Sequence, residues 1–134
     1  MVDKKKLVFF LSANQPRNRS TFQPTKLIQL IQLMIAYNIT TKVSLTIADE
    51  WLLWQMEEII PEIMATGLFD SYKIYQLIEQ DDPEGPTYII QYFTSTERKF
   101  KIYIEEFSSQ IRRRAFEKWG DQFISHRTIM RLVQ

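Results

Sequence analysis

From Ile35 to Val43 the side chains alternate with a period of two. Ile35, Tyr37, Ile39 and Val43 fall on one side; Ala36, Asn38, Thr40 and Lys42 fall on the other. Successive residues of an extended chain point to opposite faces, so this pattern specifies a strand with one buried face. Such a face needs cover, and the next segment has the period to provide it. Leu52, Met56, Ile59 or Ile60, and Ile63 make one helical stripe, with Ile47, Trp51 and Trp54 beside it. Thr46, followed by Asp49, can cap the start of this helix in the manner of a weak capping box. Pro61 lacks an amide proton and must kink the helix or open a new turn. Gly67 is a suitable terminator, because it reaches the left-handed conformation without a Cβ penalty.

The rest of the chain repeats the scheme. Phe69 to Glu79 predicts a second strand and Thr87 to Phe93 a third, and Asp81-Asp82-Pro83-Glu84-Gly85 between them is dense in turn formers. Ser95 can cap a second helix, whose stripe runs Phe100, Tyr103/Ile104, Phe107, Ile111 and Ala115 and closes at Trp119-Gly120. A last strand spans Gln122 to Val133. With right-handed crossovers, strand–helix–strand–strand–helix–strand gives a four-stranded antiparallel sheet with both helices on one face. The fold class is therefore α+β, a ferredoxin-like βαββαβ sandwich over residues 34–134. Its other face mixes polar and apolar side chains, and a face of that kind is commonly buried against a second copy.

Composition narrows the function. A chain of 134 residues with 45% hydrophobic side chains has enough apolar mass for one packed core. It has no cysteine, which excludes disulfides, a thiol nucleophile, iron–sulfur ligation and Cys-based zinc sites, and fits a cytoplasmic protein. No apolar run approaches the roughly 20 residues that span a bilayer, so no membrane partner is expected. Residues 1–33 hold six basic side chains against Asp3 alone, whereas the remaining 101 hold eleven basic and fifteen acidic. An acidic body repels phosphate backbones, and its one basic run, Arg112-Arg113-Arg114, reads as a solvated helix face.

Met1–Leu33 reads differently from the rest. Lysines 4–6 precede the short apolar run Leu7–Leu11, and a second apolar stretch, Leu27 to Met34, is broken by Gln29 and Gln32. The favoured reading is a start assigned too far upstream, with Met34 the natural one. A flexible extension comes next, and a cleaved signal, whose apolar core would be unusually short, comes last. The domain boundary is accordingly placed between residues 33 and 34.

Several stretches from Met34 onward carry a family resemblance. They are Tyr37-Asn38-Ile39-Thr40; Glu50-Trp51-Leu52 with Trp54; Pro61 with Met64-Ala65-Thr66-Gly67-Leu68-Phe69; Gly85-Pro86-Thr87-Tyr88 with Gln91-Tyr92-Phe93; and Gly120-Asp121 with Phe123, running on to Arg127-Thr128. Together they resemble the small bacterial family known as domain of unknown function 4286, over essentially all of residues 34–134. The resemblance implies a ferredoxin-like fold of the dimeric α/β-barrel type and supplies no activity. One position departs from the pattern: where relatives usually have a histidine just before the Ile-Pro step, this chain has Ile59. A histidine-dependent activity shared by the family is thereby put in doubt here.

No catalytic motif is present: there is no Gly-rich phosphate loop, no G-x-S-x-G and no H-E-x-x-H. His126 is the single histidine and has no second ligand at a usable spacing, so it reads as structural or interfacial, and neither metal nor cofactor is expected. Glu57-Glu58, Asp81-Asp82 and Glu105-Glu106 are sequence neighbours. On a helix such neighbours point about 100° apart and make no acid–base dyad. Trp51 and Trp54 read as core or interface anchors. Asn38, Gln91 and Arg127 each sit mid-strand where an apolar residue is the default. If they share a face they form a donor-rich cluster able to hold a small anion or carbonyl ligand; otherwise they belong to a polar dimer interface or an internally satisfied network. Gly85 to Tyr92 faintly resembles the third strand of RNA-recognition modules, but Glu84 stands where a basic residue is wanted and Tyr37 lies on the buried side, so no nucleic-acid partner is expected. The leading expectation is a homodimeric interaction or structural module with no catalytic residues. The alternative is a small-molecule-binding protein or cofactor-free enzyme, of oxygenase or isomerase type, using a pocket between sheet and helices.

Overall fold

The computed structural model describes residues 34–78 and 82–133. The expectations for residues 1–33, for the end of the second strand at Glu79 and for Asp81 in the turn lie outside the described residues. Strand β1 is Ile35–Val43, β2 is Ser71–Gln76, β3 is Thr87–Thr94 and β4 is Phe123–Arg131. They form one antiparallel sheet in the order β2-β3-β1-β4. The two central strands are the most regular alternators in the sequence, because they alone are flanked by strands on both sides and covered by helices on one face.

The register assigns every side chain to a face. Tyr37 lies opposite Tyr92, Ile39 opposite Ile90 and Thr41 opposite Tyr88, and all six point toward the helices. The core is strongly aromatic. Tyr37 packs against Phe100 with ring centroids 5.3 Å apart, and Phe69 against Tyr103 at 5.0 Å. Trp51 stacks on Tyr88 at 5.6 Å, while Trp54 meets Trp119 edge-on at 5.9 Å. Each such pair contributes about 0.5–1.5 kcal/mol beyond its buried area. Both tryptophans of the first helical segment are therefore core anchors, one fixing that segment to the sheet and the other fixing it to the second helical layer.

The first helical segment has three parts: α1, Ala48–Trp54; a π-helical turn, Gln55–Ile59; and α2, Ile60–Ala65. Pro61 explains the interruption, since it cannot donate to a carbonyl one turn back. The chain widens just before it, with the Ile60 amide bonded to the Gln55 carbonyl, and Pro61 sits in the first turn of α2. Thr46 does not cap α1: the N-cap position is Ile47, with no side-chain hydrogen bond. The segment ends at Gly67, φ +73°, where Thr66 Oγ1 donates to the Ile63 carbonyl at 2.7 Å and accepts from the Leu68 amide at 3.2 Å.

The single helix expected after Ser95 is two helices. α3 is Glu97–Glu106 and α4 is Ser108–Trp119, separated at Phe107, whose backbone leaves helical geometry at φ −123°. The cap of α3 is Thr96, whose hydroxyl accepts from the Lys99 amide at 3.2 Å, and not Ser95. Phe100 and Tyr103 are buried while Phe107, Ile111 and Ala115 pack partly buried against the core, so the expected stripe survives the break. Of the arginine run on α4, Arg112 and Arg113 are exposed, and Arg114 pairs with Glu62 and Glu58 across the helical layer. No helix among the described residues is long and apolar enough to cross a membrane.

Candidate functional site

The register divides the three polar strand residues. Asn38 faces Gln91 across β1 and β3, and both lie on the sheet face away from the helices. Arg127 lies opposite Ile39, on the helix side. The expected three-residue cluster is thus a pair on one face and a single guanidinium on the other. Of the three, only Arg127 stands on the helix side, where the pocket was expected. Sequence alone could not reveal this, because β4 alternates two mixed sets: Phe123, Ser125, Arg127 and Ile129 against Ile124, His126, Thr128 and Met130. Neither set is clearly the apolar one.

The outer face carries Ser71, Lys73 and Tyr75 from β2; Ile89, Gln91 and Phe93 from β3; and Ala36, Asn38, Thr40 and Lys42 from β1. Part of it curves into a concavity of about 540 Å³ that includes Lys73, Tyr75, Gln91, Phe93 and Met130. Asn38 Nδ2 makes a long contact of 3.9 Å to the Met130 sulfur, and Asn38 Oδ1 is buried with no donor among the described residues. At one end of the face Lys42 Nζ bonds Asp82 at 2.7 Å and lies 3.5 Å from Glu84. The Asp82 hydrogen bond holds the lysine pKa above its ordinary value. His126 stands opposite Thr40 on this same face and is exposed. Among the described residues no group of three or more histidine, aspartate or glutamate side chains could hold a metal.

The helix side has its own polar feature, which the sequence reading did not single out. Tyr37, Tyr92 and Tyr103 are all buried, at 1–2% exposure. Burial pushes all three phenols upward, those of Tyr92 and Tyr103 far above the ordinary range. The Tyr92 hydroxyl is buried with no hydrogen-bond partner among the described residues. The positive charge of Arg127 opposes the upward push on Tyr37 and Tyr103, and that of Arg112 does so more weakly. The one signal available beforehand was parity: Tyr37 and Tyr103 both fall on apolar stripes, where a phenol needs a polar outlet.

A four-stranded antiparallel sheet in this order, with its helices packed on one face, defines a ferredoxin-like α+β domain. A dimeric ferredoxin-like protein from an uncultured marine organism superimposes with a TM-score of 0.60 at 10% identity, covering 76% of this chain and 97% of that one. An EthD-like protein from Ralstonia eutropha gives a TM-score of 0.58 at 12% identity, covering 77% and 95% respectively. At these identities the likeness establishes the fold. No curated protein matches the chain. The model of one family, Domain of unknown function (DUF4286), matches residues 34–133, and the chain belongs to that family.

Proposed function

We propose that this domain is an interaction module that forms a homodimer by packing two sheets face to face through their outer surfaces. The observation that carries the reading is the composition of that surface. Ile89 and Phe93 lie on the outer face of β3, with Tyr75 beside Ile89 on β2 and, across β1, Met130 in the row of Phe93 and Ile124 near the start of β4. Tyr75 and Ile124 are 46% and 63% exposed, and no described residue covers them. With strands about 4.8 Å apart and a rise of about 3.3 Å per residue, four strands present a face of roughly 20 by 25 Å. Its side-chain relief brings the accessible area toward the roughly 800 Å² per partner of a standard interface.

Asn38 and Gln91 suit such a junction. They lie opposite one another at the middle of the face, in a row of polar side chains with Lys73 and Thr128 that the amides of a second copy can pair. One protein that shares the fold is described as dimeric, which supports a dimer of this chain. In this reading the module works in the bacterial cytoplasm, in keeping with a sequence that has no cysteine.

Sedimentation equilibrium of the full chain tests the proposal. A dimer is expected, and Ile89→Lys, which plants a charge on the outer face, should give a folded monomer with unchanged far-UV circular dichroism. Leu53→Lys, at an exposed position on α1, should leave the dimer intact. A wild-type monomer at the highest soluble concentration, or a dimer indifferent to Ile89→Lys, would overturn it.

A further inference from the structure

We propose that the free edge of β4 takes an added β-strand, an extended acidic segment of a partner protein. Among the described residues β4 pairs only with β1, so one row of its backbone groups has no ladder to join. Register identifies that row. Just beyond the strand ends, the Leu132 amide donates to the Met34 carbonyl and the Ser44 amide donates to the Gln122 carbonyl, both at 2.9 Å. Hydrogen-bonded pairs recur at every second residue of an antiparallel ladder, so Ile124, His126, Thr128 and Met130 bond to β1. The N–H and C=O groups of Phe123, Ser125, Arg127, Ile129 and Arg131 therefore point away from β1, into the open edge.

Edge strands are ordinarily guarded by being short, by Lys or Pro, or by a bulge. β4 is nine residues long, contains neither Lys nor Pro, and keeps an unbroken register with β1 from Phe123 to Arg131. β2, at the opposite edge, has six residues and carries Lys73. What β4 does carry is positive charge. Arg127 and Arg131 are exposed on its helix side, and the strand has no carboxylate. Arg131 is paired with Glu97, whereas Arg127 makes no ion pair among the described residues.

That charge selects the occupant. A second β4 brings the same guanidiniums to the junction, and residues 1–33 of the chain hold six basic side chains against Asp3 alone, so both are repelled. An acidic side chain opposite Arg127, with an apolar one opposite Ile129, which is 57% exposed, matches the edge in charge and in hydropathy. The main chain supplies the affinity and those two positions supply the choice of sequence. The new hydrogen bonds run in the plane of the sheet, at right angles to the direction in which two outer faces pack. Strand addition and the proposed dimer thus use different groups and are tested separately.

The test uses the ¹⁵N-labelled full chain and the peptide acetyl-Thr-Val-Thr-Glu-Thr-Val-Thr-amide, which sets glutamate between two valines on one face of a strand. The peptide should shift the Ser125, Arg127 and Ile129 amides saturably and slow their hydrogen exchange. N-methylating its valine and glutamate amides, which face β4 in an antiparallel pairing, should abolish binding, while N-methylating the threonine amides between them should leave it intact. Lysine in place of glutamate should weaken binding about tenfold or more, the size of one charge-assisted hydrogen bond, and Arg127→Gln should remove that preference. Ile129→Pro deletes an edge N–H that β1 does not use; it should keep the wild-type far-UV circular dichroism and lose the peptide. Should that variant fail to fold, the two methylated peptides decide. No saturable shift at millimolar peptide, equal binding of both methylated peptides, or no preference for glutamate over lysine would each overturn the proposal. A smaller sedimentation mass in Ile129→Pro would overturn it too, since a second copy would then hold the edge.

Discussion

Gly85 and Val43 approach so closely that a β-carbon on Gly85 would lie 1.9 Å from the Val43 carbonyl oxygen, and only 2.8 Å from the Leu45 amide nitrogen. The contact is made by backbone on both sides. The Glu84 carbonyl accepts from the Leu45 amide at 2.8 Å, and the Pro86 carbonyl accepts from the Val43 amide at 2.9 Å. These bonds extend the β1–β3 ladder past its last paired residues, and Gly85 crosses it at φ +146°, a conformation that other residues avoid. Gly85→Ala therefore meets both a steric clash that no rotamer relieves and a strained backbone. The expected loss is about 3 kcal/mol or more, the range seen when strain and overpacking combine. Urea unfolding of the variant measures it, and a loss below about 1 kcal/mol, within the ordinary spread of point mutants, would show that the loop can move aside.

Thr96 and Ser95 are adjacent hydroxyl residues with unequal roles. Only Thr96 has the extended backbone of a cap, and only its hydroxyl accepts from the Lys99 amide. Thr96→Ala should cost about 1 kcal/mol, since an amide of the first turn loses its acceptor. Ser95→Ala should change stability by less than about 0.5 kcal/mol, as for a surface position without such a bond. Thermal unfolding of the pair decides between them, and equal losses would mean that the cap is shared.

The architecture was legible because β1 and β3 each have one covered face, so hydrophobicity alternates cleanly along Ile35–Val43 and Thr87–Thr94. Edge strands gave less. The described part of β2 is exposed along almost its whole length, and β4 is exposed from Arg127 onward, so neither carries the contrast that fixes which side faces in. That is why Arg127 could not be assigned to a face: its partner across the sheet, Ile39, is settled only by register. The break at Phe107 was hidden for a different reason. Phe107 keeps its place on the apolar stripe and still packs against Tyr103, at 6.3 Å between rings, so the period passes through the interruption unaltered. Ile59, where the family resemblance leads one to expect a histidine, is 2% exposed and part of the apolar core, so in this chain the position serves packing.

The buried tyrosines make stability depend on alkaline pH. Burial raises the phenols of Tyr37, Tyr92 and Tyr103 above their ordinary value near 10. The folded chain then holds these protons more tightly than the unfolded chain does. Their contribution is complete below the unfolded pKa of about 10, and it is lost as pH rises above that value. Each phenol can contribute about 1.4 kcal/mol per pH unit to the slope, so the three together approach about 4 kcal/mol per unit. The expected observation is that the tyrosinate absorbance of these residues rises together with the loss of far-UV circular dichroism, since ionisation waits for unfolding. Tyr92→Phe should reduce the slope by about a third. At neutral pH the same variant should be no less stable than wild type, because it removes a buried hydroxyl that has no partner among the described residues. If the slope is unchanged in Tyr92→Phe, the Tyr92 phenol ionises in the folded chain, and the cluster is wetter than its burial implies.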